Sequence, residues 1–285
     1  MRTSRRLLSL AALLASAGCP LWNGSQDDVQ SVGSTEVALP LAKATNREAE
    51  SLSGDAIADA YLAEAIDAGA QAALFNGGSI RCETPSFSAN ADEGGCAGLS
   101  IPPGTIDGQT LTNVLPFELE DHLVVVQLTG SQLKSTLERS VSSLPGTASG
   151  WFMQVANLSY SVDCSQPAQV INQNYPSVLS IVTEGSRVTA ISVGGAAVDL
   201  ATDGGVTYGI VTNSFEAEGD DGHVEMALAC AAQNCQPFDP AATDYVEIGR
   251  YLSENSPLTQ ESILGGDGGV AVGSRIVLAA NCMSQ

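Results

Sequence analysis

The sequence predicts a single α+β domain on three observations. Short apolar runs of strand length recur between Gly, Pro and Asn punctuation. Segments with helical spacing sit near residues 45–68, 130–141 and 240–253. No internal repeat or composition break appears after residue 44. Taken in order, Thr45-Asn46-Arg47-Glu48 reads as a capping box, with Thr45 as the cap and Glu48 reaching back. It opens a helix to about Ala68, with Leu52, Ala56, Ala60 and Ala63 on one stripe. Arg47 then lies in the first turn and points off the helix end, where a cation opposes the helix dipole; a solvated surface arginine is the plain alternative. Ala72-Ala73-Leu74-Phe75 reads as the end of a buried strand, and Asn76-Gly77-Gly78-Ser79-Ile80-Arg81 follows it. Two glycines let the backbone turn sharply and approach a ligand. Asn76 and Arg81 flank that turn with an amide and a planar five-donor fork, a pair suited to a polar or anionic small molecule.

Residues 82–105 form a Gly/Pro/Ser-rich loop. His122 to Leu128 reads as a buried strand, and Gly130 starts a helix with Leu133, Leu137 and Val141 at i, i+4 and i+8. Strands are expected at 151–155, 158–163, 178–183, 187–193, 206–213 and 274–279, with a helix around 240–253.

The chain has 285 residues and a formal net charge of −21, although three of its arginines fall within the first six positions. So acidic a surface repels nucleic-acid backbones and anionic membranes. Residues 1–19 read as an export signal: Arg2, Arg5 and Arg6, an apolar core from Leu7 to Leu14, then small residues before Cys19. Small residues followed by Cys resemble a bacterial lipoprotein box in which Cys19 carries the lipid, although Ser16 stands where such boxes usually carry Leu. Ordinary cleavage nearby, with Cys19 lost or free, is the alternative. The twin-arginine match is poor, and the apolar core is too short to span a bilayer. Residues 20–44 read as a flexible tether, and 45–285 as the folded domain. The chain is therefore expected in the bacterial cell envelope, periplasm or outer membrane, lipid-anchored.

The remaining cysteines are Cys82, Cys96, Cys164, Cys230, Cys235 and Cys282, an even set that suits disulfides in an exported chain. Six cysteines allow 15 pairings. Proximity favours Cys82–Cys96 and Cys230–Cys235, which leaves Cys164–Cys282. Without C-x-x-C pairs, and with only two histidines, zinc is not expected.

Six segments in order resemble the C-terminal domain of the 5′-nucleotidase family, from about Asn46 to Ile276. They are Arg47-Glu48 with Gly54-Asp55 and Asp59-Ala60; Asn76 to Arg81; Leu115-Pro116-Phe117; Leu128-Thr129-Gly130-Ser131-Gln132-Leu133 leading into Leu137-Glu138; Gly150 to Val155; and Thr212-Asn213-Ser214-Phe215 followed by Gly219-Asp220-Asp221-Gly222. The resemblance implies mixed β-sheets with flanking helices and a substrate-binding role in nucleotide catabolism. By the same resemblance Phe117 and Phe215 clamp a nucleobase, and Asp221 binds ribose hydroxyls. Arg47, Arg81 and Asn76 lie toward the ribose and phosphate, beside Gly78. Flat faces on both sides of a base are worth about 1–3 kcal/mol per stack. Taken without the resemblance, Phe117 and Phe215 could equally be core residues, and Asp221 a turn residue. Two departures stand out: Asp220 replaces a glycine usual in the family, and His223 stands where an aromatic is common.

Hydrolysis in the family belongs to a separate N-terminal metallophosphoesterase domain with two divalent metals. The sequence shows no Asp-x-His near its start and no Gly-Asn-His-Asp/Glu block, and His122 reads as structural. No catalytic residue, metal ligand or cofactor is therefore expected in this chain, and divalent metals are expected only in a partner metallophosphoesterase. Three readings remain open: a nucleotide- or nucleoside-binding lipoprotein, a subunit whose partner chain supplies catalysis, and a degenerate surface scaffold with a closed cleft.

Overall fold

The computed structural model describes residues 31–81, 100–117, 121–174, 177–200, 205–238, 242–265 and 273–283. The chain runs through β1 (Ser31–Thr35) and β2 (Leu39–Pro40) into helices α1 (Lys43–Glu48) and α2 (Leu52–Ala65), then β3 (Ala72–Asn76). Strands β4 (Ser100–Ile101) and β5 (Gly104–Asp107) precede α3 (Gly108–Val114), β6 (Leu123–Thr129) and α4 (Gly130–Ser140). Next come β7 (Met153–Ala156), β8 (Leu158–Val162), β9 (Val170–Asn174), β10 (Ser177–Thr183), β11 (Val188–Val193) and β12 (Ala196–Ala197). Strand β13 (Thr207–Asn213) leads to α5 (Ser214–Ala217), α6 (Val224–Ala231), β14 (Cys235–Pro237), α7 (Asp244–Asn255), α8 (Gln260–Gly265) and β15 (Ile276–Leu278).

The central sheet has the order β14-β6-β13-β3-β7. Its strands β3, β6, β7 and the latter part of β13 are short, mostly apolar runs buried on both faces, and alternate side chains enter two different cores; β14 is a half-exposed edge. In β3, Ala73 and Phe75 face one core, while Ala72 and Leu74 face the other. Leu123 and Val125 of β6 join the first, and Val124, Val126 and Leu128 the second. Helices α2 and α7 cover the first face through Tyr61, Tyr245 and Ile248. Helix α4 covers the second through Leu133 and Leu137, together with Tyr160 and Ile191 of the four-stranded sheet β12-β11-β8-β15. The α4 start is a true capping box, in which the Thr129 side chain accepts from Gln132 N and the Gln132 side chain returns to Thr129 N.

Sheet direction sets where a ligand can sit. Strands β3 and β13 run parallel, whereas β6 and β7 are antiparallel to their neighbours. The exits of β3 and β13 therefore meet the entrances of β6 and β7, with Asn213 opposite Leu123 and Asn76 opposite Met153. Four connections crowd onto one end of the sheet, beyond the carboxyl ends of its parallel pair, the position where such sheets bind ligands.

Several expectations need correction. The tether expected over 20–44 does not hold for residues 31–44: Val32, Leu39 and Leu41 are buried, and β1 and β2 pair with β5 and β4. The Thr45 capping box does not form. Helix α1 starts at Lys43 behind Ala42, which provides no side-chain cap, and Arg47 lies in the last turn, on the favourable side of the dipole. The single long helix is broken at extended Ala49, and α2 restarts with Ser51 accepting from Gly54 N. The break frees Glu50, whose carboxylate accepts from the backbone N–H groups of Gly273, Arg275 and Ile276 at 2.7, 2.7 and 2.6 Å. The α2 stripe also fails at Ala63, which is exposed; the buried positions include Ala58, Tyr61 and Asp55 instead. Within the expected loop at 82–105, residues 100–101 and 104–105 belong to β4 and β5. Helices α3, α6 and α8 and strand β9 add elements that the periodicity did not reveal.

Disulfides join Cys164 to Cys282 and Cys230 to Cys235, with Cα–Cα distances of 5.0 and 4.7 Å. Cys19, Cys82 and Cys96 lie outside the described residues.

Candidate binding cleft

A cleft of about 500 Å³ opens at the crowded end of the central sheet. Strand β3 delivers Asn76, Gly78, Ser79 and Arg81 to it, and β13 delivers Phe215 and Asp221. Pro116 and Phe117 arrive after α3, Asp121 just before β6, and Gly150 just before β7. Of the binding residues expected from sequence, Asn76, Gly78, Arg81, Phe117, Phe215 and Asp221 line the cleft, and Arg47 lies beneath it.

Phe117 and Phe215 are 39% and 38% exposed, unusual for residues of such apolar area on an otherwise well-packed sheet end. Arg81 lies over the Phe117 ring, its guanidinium carbon 4.9 Å from the centroid, and its Nε donates to Gly78 O at 2.7 Å. Arg47 is buried, and donates from Nε to Gly77 O at 3.3 Å and from Nη2 to Gly78 O at 3.2 Å. The expected Arg47 pointing off the helix end is therefore replaced by one that supports the glycine loop from below. Both arginines converge on the Gly78 carbonyl. The need for glycine there comes from the protein itself: a Cβ on Gly78 would lie 2.8 Å from Gly150 Cα, and Gly78 N donates to Gly150 O at 2.9 Å.

Asn76 is buried, and its Oδ1 accepts from Ser79 Oγ at 3.1 Å and from Asn213 Nδ2 at 3.2 Å, tying the exits of the two parallel strands together. Asp221 adopts φ 55°, a left-handed conformation that Asp tolerates better than most residues. Burial raises its carboxyl above the ordinary value, opposed by a hydrogen bond from Asn76 and by the charge of Arg139. The turn continues through Gly222 at φ 88°, where a Cβ would also strike Ile171 and Arg139. Asp220, which replaces a glycine usual in the family, is not a positive-φ residue and is not among the residues lining the cleft.

Behind Asp221 lies a cluster of which the sequence singled out only His223. Arg139 Nε donates to Asp221 O at 2.7 Å, and its guanidinium stacks 4.0 Å from the Trp151 ring centroid. Burial lowers its pKa to about 10. Glu216 and His223 are fully buried with His223 Nε2 3.3 Å from Glu216 Oε2. Burial, then the nearby Asp221 charge, raises the Glu216 carboxyl well above its ordinary range. Burial, then Arg139, lowers His223 to about 3. Burial thus disfavours the charged form of both groups, raising the acid and lowering the imidazole. Asp121, also missed from sequence, accepts from Ser214 Oγ at 2.8 Å. His122 directs Nδ1 to Ala242 O at 2.8 Å.

The arrangement offers two flat apolar faces, a guanidinium fork and carboxylate acceptors in one cleft, which matches a flat heterocycle joined to a polyhydroxylated, anionic group. Comparison with known proteins identifies the family. Residues 31–229 match the family model described as 5′-nucleotidase, C-terminal domain. The chain is 33% identical over 195 residues to the trifunctional nucleotide phosphoesterase protein YfkN of Bacillus subtilis strain 168, covering 68% of this chain and 11% of that protein. Among solved structures it is similar to the 5′-nucleotidase precursor from Thermus thermophilus, with a TM-score of 0.65 and 29% identity, over 88% of this chain and 40% of that one. The NAD nucleotidase NadN of Haemophilus influenzae shares the fold, with a TM-score of 0.60 at 16% identity, over 88% of this chain and 38% of that one. The chain therefore spans well under half the length of each of these relatives.

Proposed function

This chain belongs to the 5′-nucleotidase family through its C-terminal domain, and from that premise we propose that its cleft binds a nucleotide or nucleoside. The observation that carries the reading is the pair of half-exposed rings, Phe117 and Phe215, brought to one 500 Å³ cleft by separate segments, with Arg81 and Asp221 beside them. The base lies between the rings, Asp221 accepts from the ribose hydroxyls, and Arg81 faces the phosphate. Asn76 and Gly78 shape the loop between them, and Arg47 holds that loop's carbonyls from beneath. An open cleft counts against the degenerate scaffold, which requires a closed one.

The described residues do not fit the dimetal centre of the family's hydrolytic half. Among them no group of three or more His, Cys, Asp or Glu is placed to hold a metal. His122 is committed to a backbone carbonyl, and His223 is buried against Glu216. No hydrolytic step is assigned to these residues. The chain's part in nucleotide catabolism, in this reading, is recognition, with divalent metals held by a metallophosphoesterase unit outside the described residues, such as a separate partner chain. Two disulfides fit an oxidising compartment, in keeping with an exported, lipid-anchored protein of the cell envelope. Metabolic labelling with a fatty acid should tag the wild-type chain and not Cys19→Ala.

Calorimetric titration with AMP, adenosine and UMP tests the central reading. Binding that weakens in Phe117→Ala and Phe215→Ala supports it. No heat at millimolar ligand, or binding indifferent to both substitutions, overturns it.

A further inference from the structure

We infer that Asp121 reads the edge of the base and selects nucleobases bearing an exocyclic amino group. The inference rests on the nucleoside reading of the cleft and adds a preference within it.

Asp121 lines the same cleft as Phe117 and Phe215. It stands at the entrance of β6, directly beside the exit of β13, because Asn213 and Leu123 are register partners. That placement sets its carboxylate against the segment that carries the Phe215 ring. Ser214 Oγ donates to Asp121 Oδ1 at 2.8 Å, and Ser214 Oγ in turn accepts from His122 N at 3.2 Å. The Phe215 N–H also serves the carboxylate. The backbone is pinned as well, since Asp244 N donates to Asp121 O at 3.0 Å. The acceptor is therefore fixed relative to the ring before any ligand arrives.

A carboxylate has more acceptor positions than these donors occupy, and when ionised it donates nothing. Ring stacking alone is nearly indifferent to which base it holds. An acceptor at the margin of the rings breaks that indifference, because only a base with N–H donors on its edge can satisfy it; amino groups of this type are what carboxylates read elsewhere in nucleic-acid recognition. A base that presents only C–H there leaves a partly desolvated carboxylate without the partner that water would have given it, and that loss is the source of discrimination. The ribose side is served separately by Asp221, which arrives from the turn after α5.

Adenosine and purine riboside differ only in the 6-amino group, so they isolate this contact. The full chain should bind adenosine roughly tenfold or more tightly than purine riboside, the range of a hydrogen bond to a charged group. In Asp121→Ala the ratio of the two affinities should fall close to one. In Ser214→Ala, which leaves the carboxylate in place but loosens it, the ratio should fall part of the way, and this variant carries the test if Asp121→Ala fails to fold. A wild-type ratio near one, or a ratio unchanged in both variants, overturns the inference while leaving the nucleoside cleft intact. A wild-type chain that binds neither ligand overturns the cleft reading and this inference together.

Discussion

Two pairs of aromatic rings in this molecule meet opposite fates. Tyr61 and Phe75 lie edge to face with centroids 5.4 Å apart and are both fully buried between α2 and the central sheet. Phe117 and Phe215 carry rings just as apolar, yet each keeps over a third of its surface exposed at the cleft. The strand β3 links the two pairs: Phe75 ends its apolar run, and the cleft loop starts one residue later. Burial of a ring is the ordinary outcome of folding. Two rings kept open by a rigid sheet end, with an arginine over one of them, hold back stabilisation that packing would otherwise gain.

The contrast predicts opposite responses to truncation. Phe75→Ala should cost about 3–5 kcal/mol of stability, the range for a buried ring, read from denaturant unfolding. Phe117→Ala and Phe215→Ala should each leave the unfolding midpoint nearly in place and cost about 1–3 kcal/mol in nucleoside binding. If a cleft substitution unfolds the chain as Phe75→Ala does, the two pairs are not distinct and the rings are core residues.

Gly78→Ala should come next in size. The added methyl meets the Gly150 backbone, and overpacking of this kind costs about 1–3 kcal/mol. Because the same loop carries Asn76 and Arg81, binding should weaken beyond what the stability loss alone explains, which titration well below the melting temperature would show.

The smallest effect is read as a slope. His223 is held neutral, with its pKa lowered from 6.5 to about 3, so between those values the unfolded state binds more protons and stability climbs with pH. Glu216 works the other way. Its folded form keeps a proton above 4.5, so its contribution is greatest at low pH and falls as pH rises past that value. His223→Phe should flatten the climb below pH 6.5, and Glu216→Gln should remove the fall above 4.5. Urea unfolding at several pH values would separate them. A Glu216→Gln slope identical to wild type would mean that the buried acid is ionised.

Much of this was legible in the chain itself, for identifiable reasons. Strand β3 and its glycine loop stand out because an apolar run ends abruptly in Asn and two glycines. Helix α4 shows its i, i+4, i+8 leucines and valine, and all three side chains are fully buried, whereas its Thr129 cap was not read from the sequence. Cys230–Cys235 and Cys164–Cys282 form as proximity and elimination indicated. The break between α1 and α2 was hidden because its cause lies more than two hundred residues away, where Glu50 gathers the N–H groups of Gly273, Arg275 and Ile276. Strand β1 reads Ser-Val-Gly-Ser-Thr, too polar and too short to announce itself before its pairing with β5 is known. Asp121 and Glu216 have no local signature, and His223 stands out only as a departure from the family pattern. Their meaning comes from the register that sets β6 against β13 and from the turn that folds His223 back under Glu216.

The most direct test of the open ring pair is a crystal structure of the chain grown with adenosine. The account predicts the base between the Phe117 and Phe215 rings, with the ribose hydroxyls on Asp221. Adenosine bound elsewhere, or the two rings packed against the protein with the cleft filled, would contradict it.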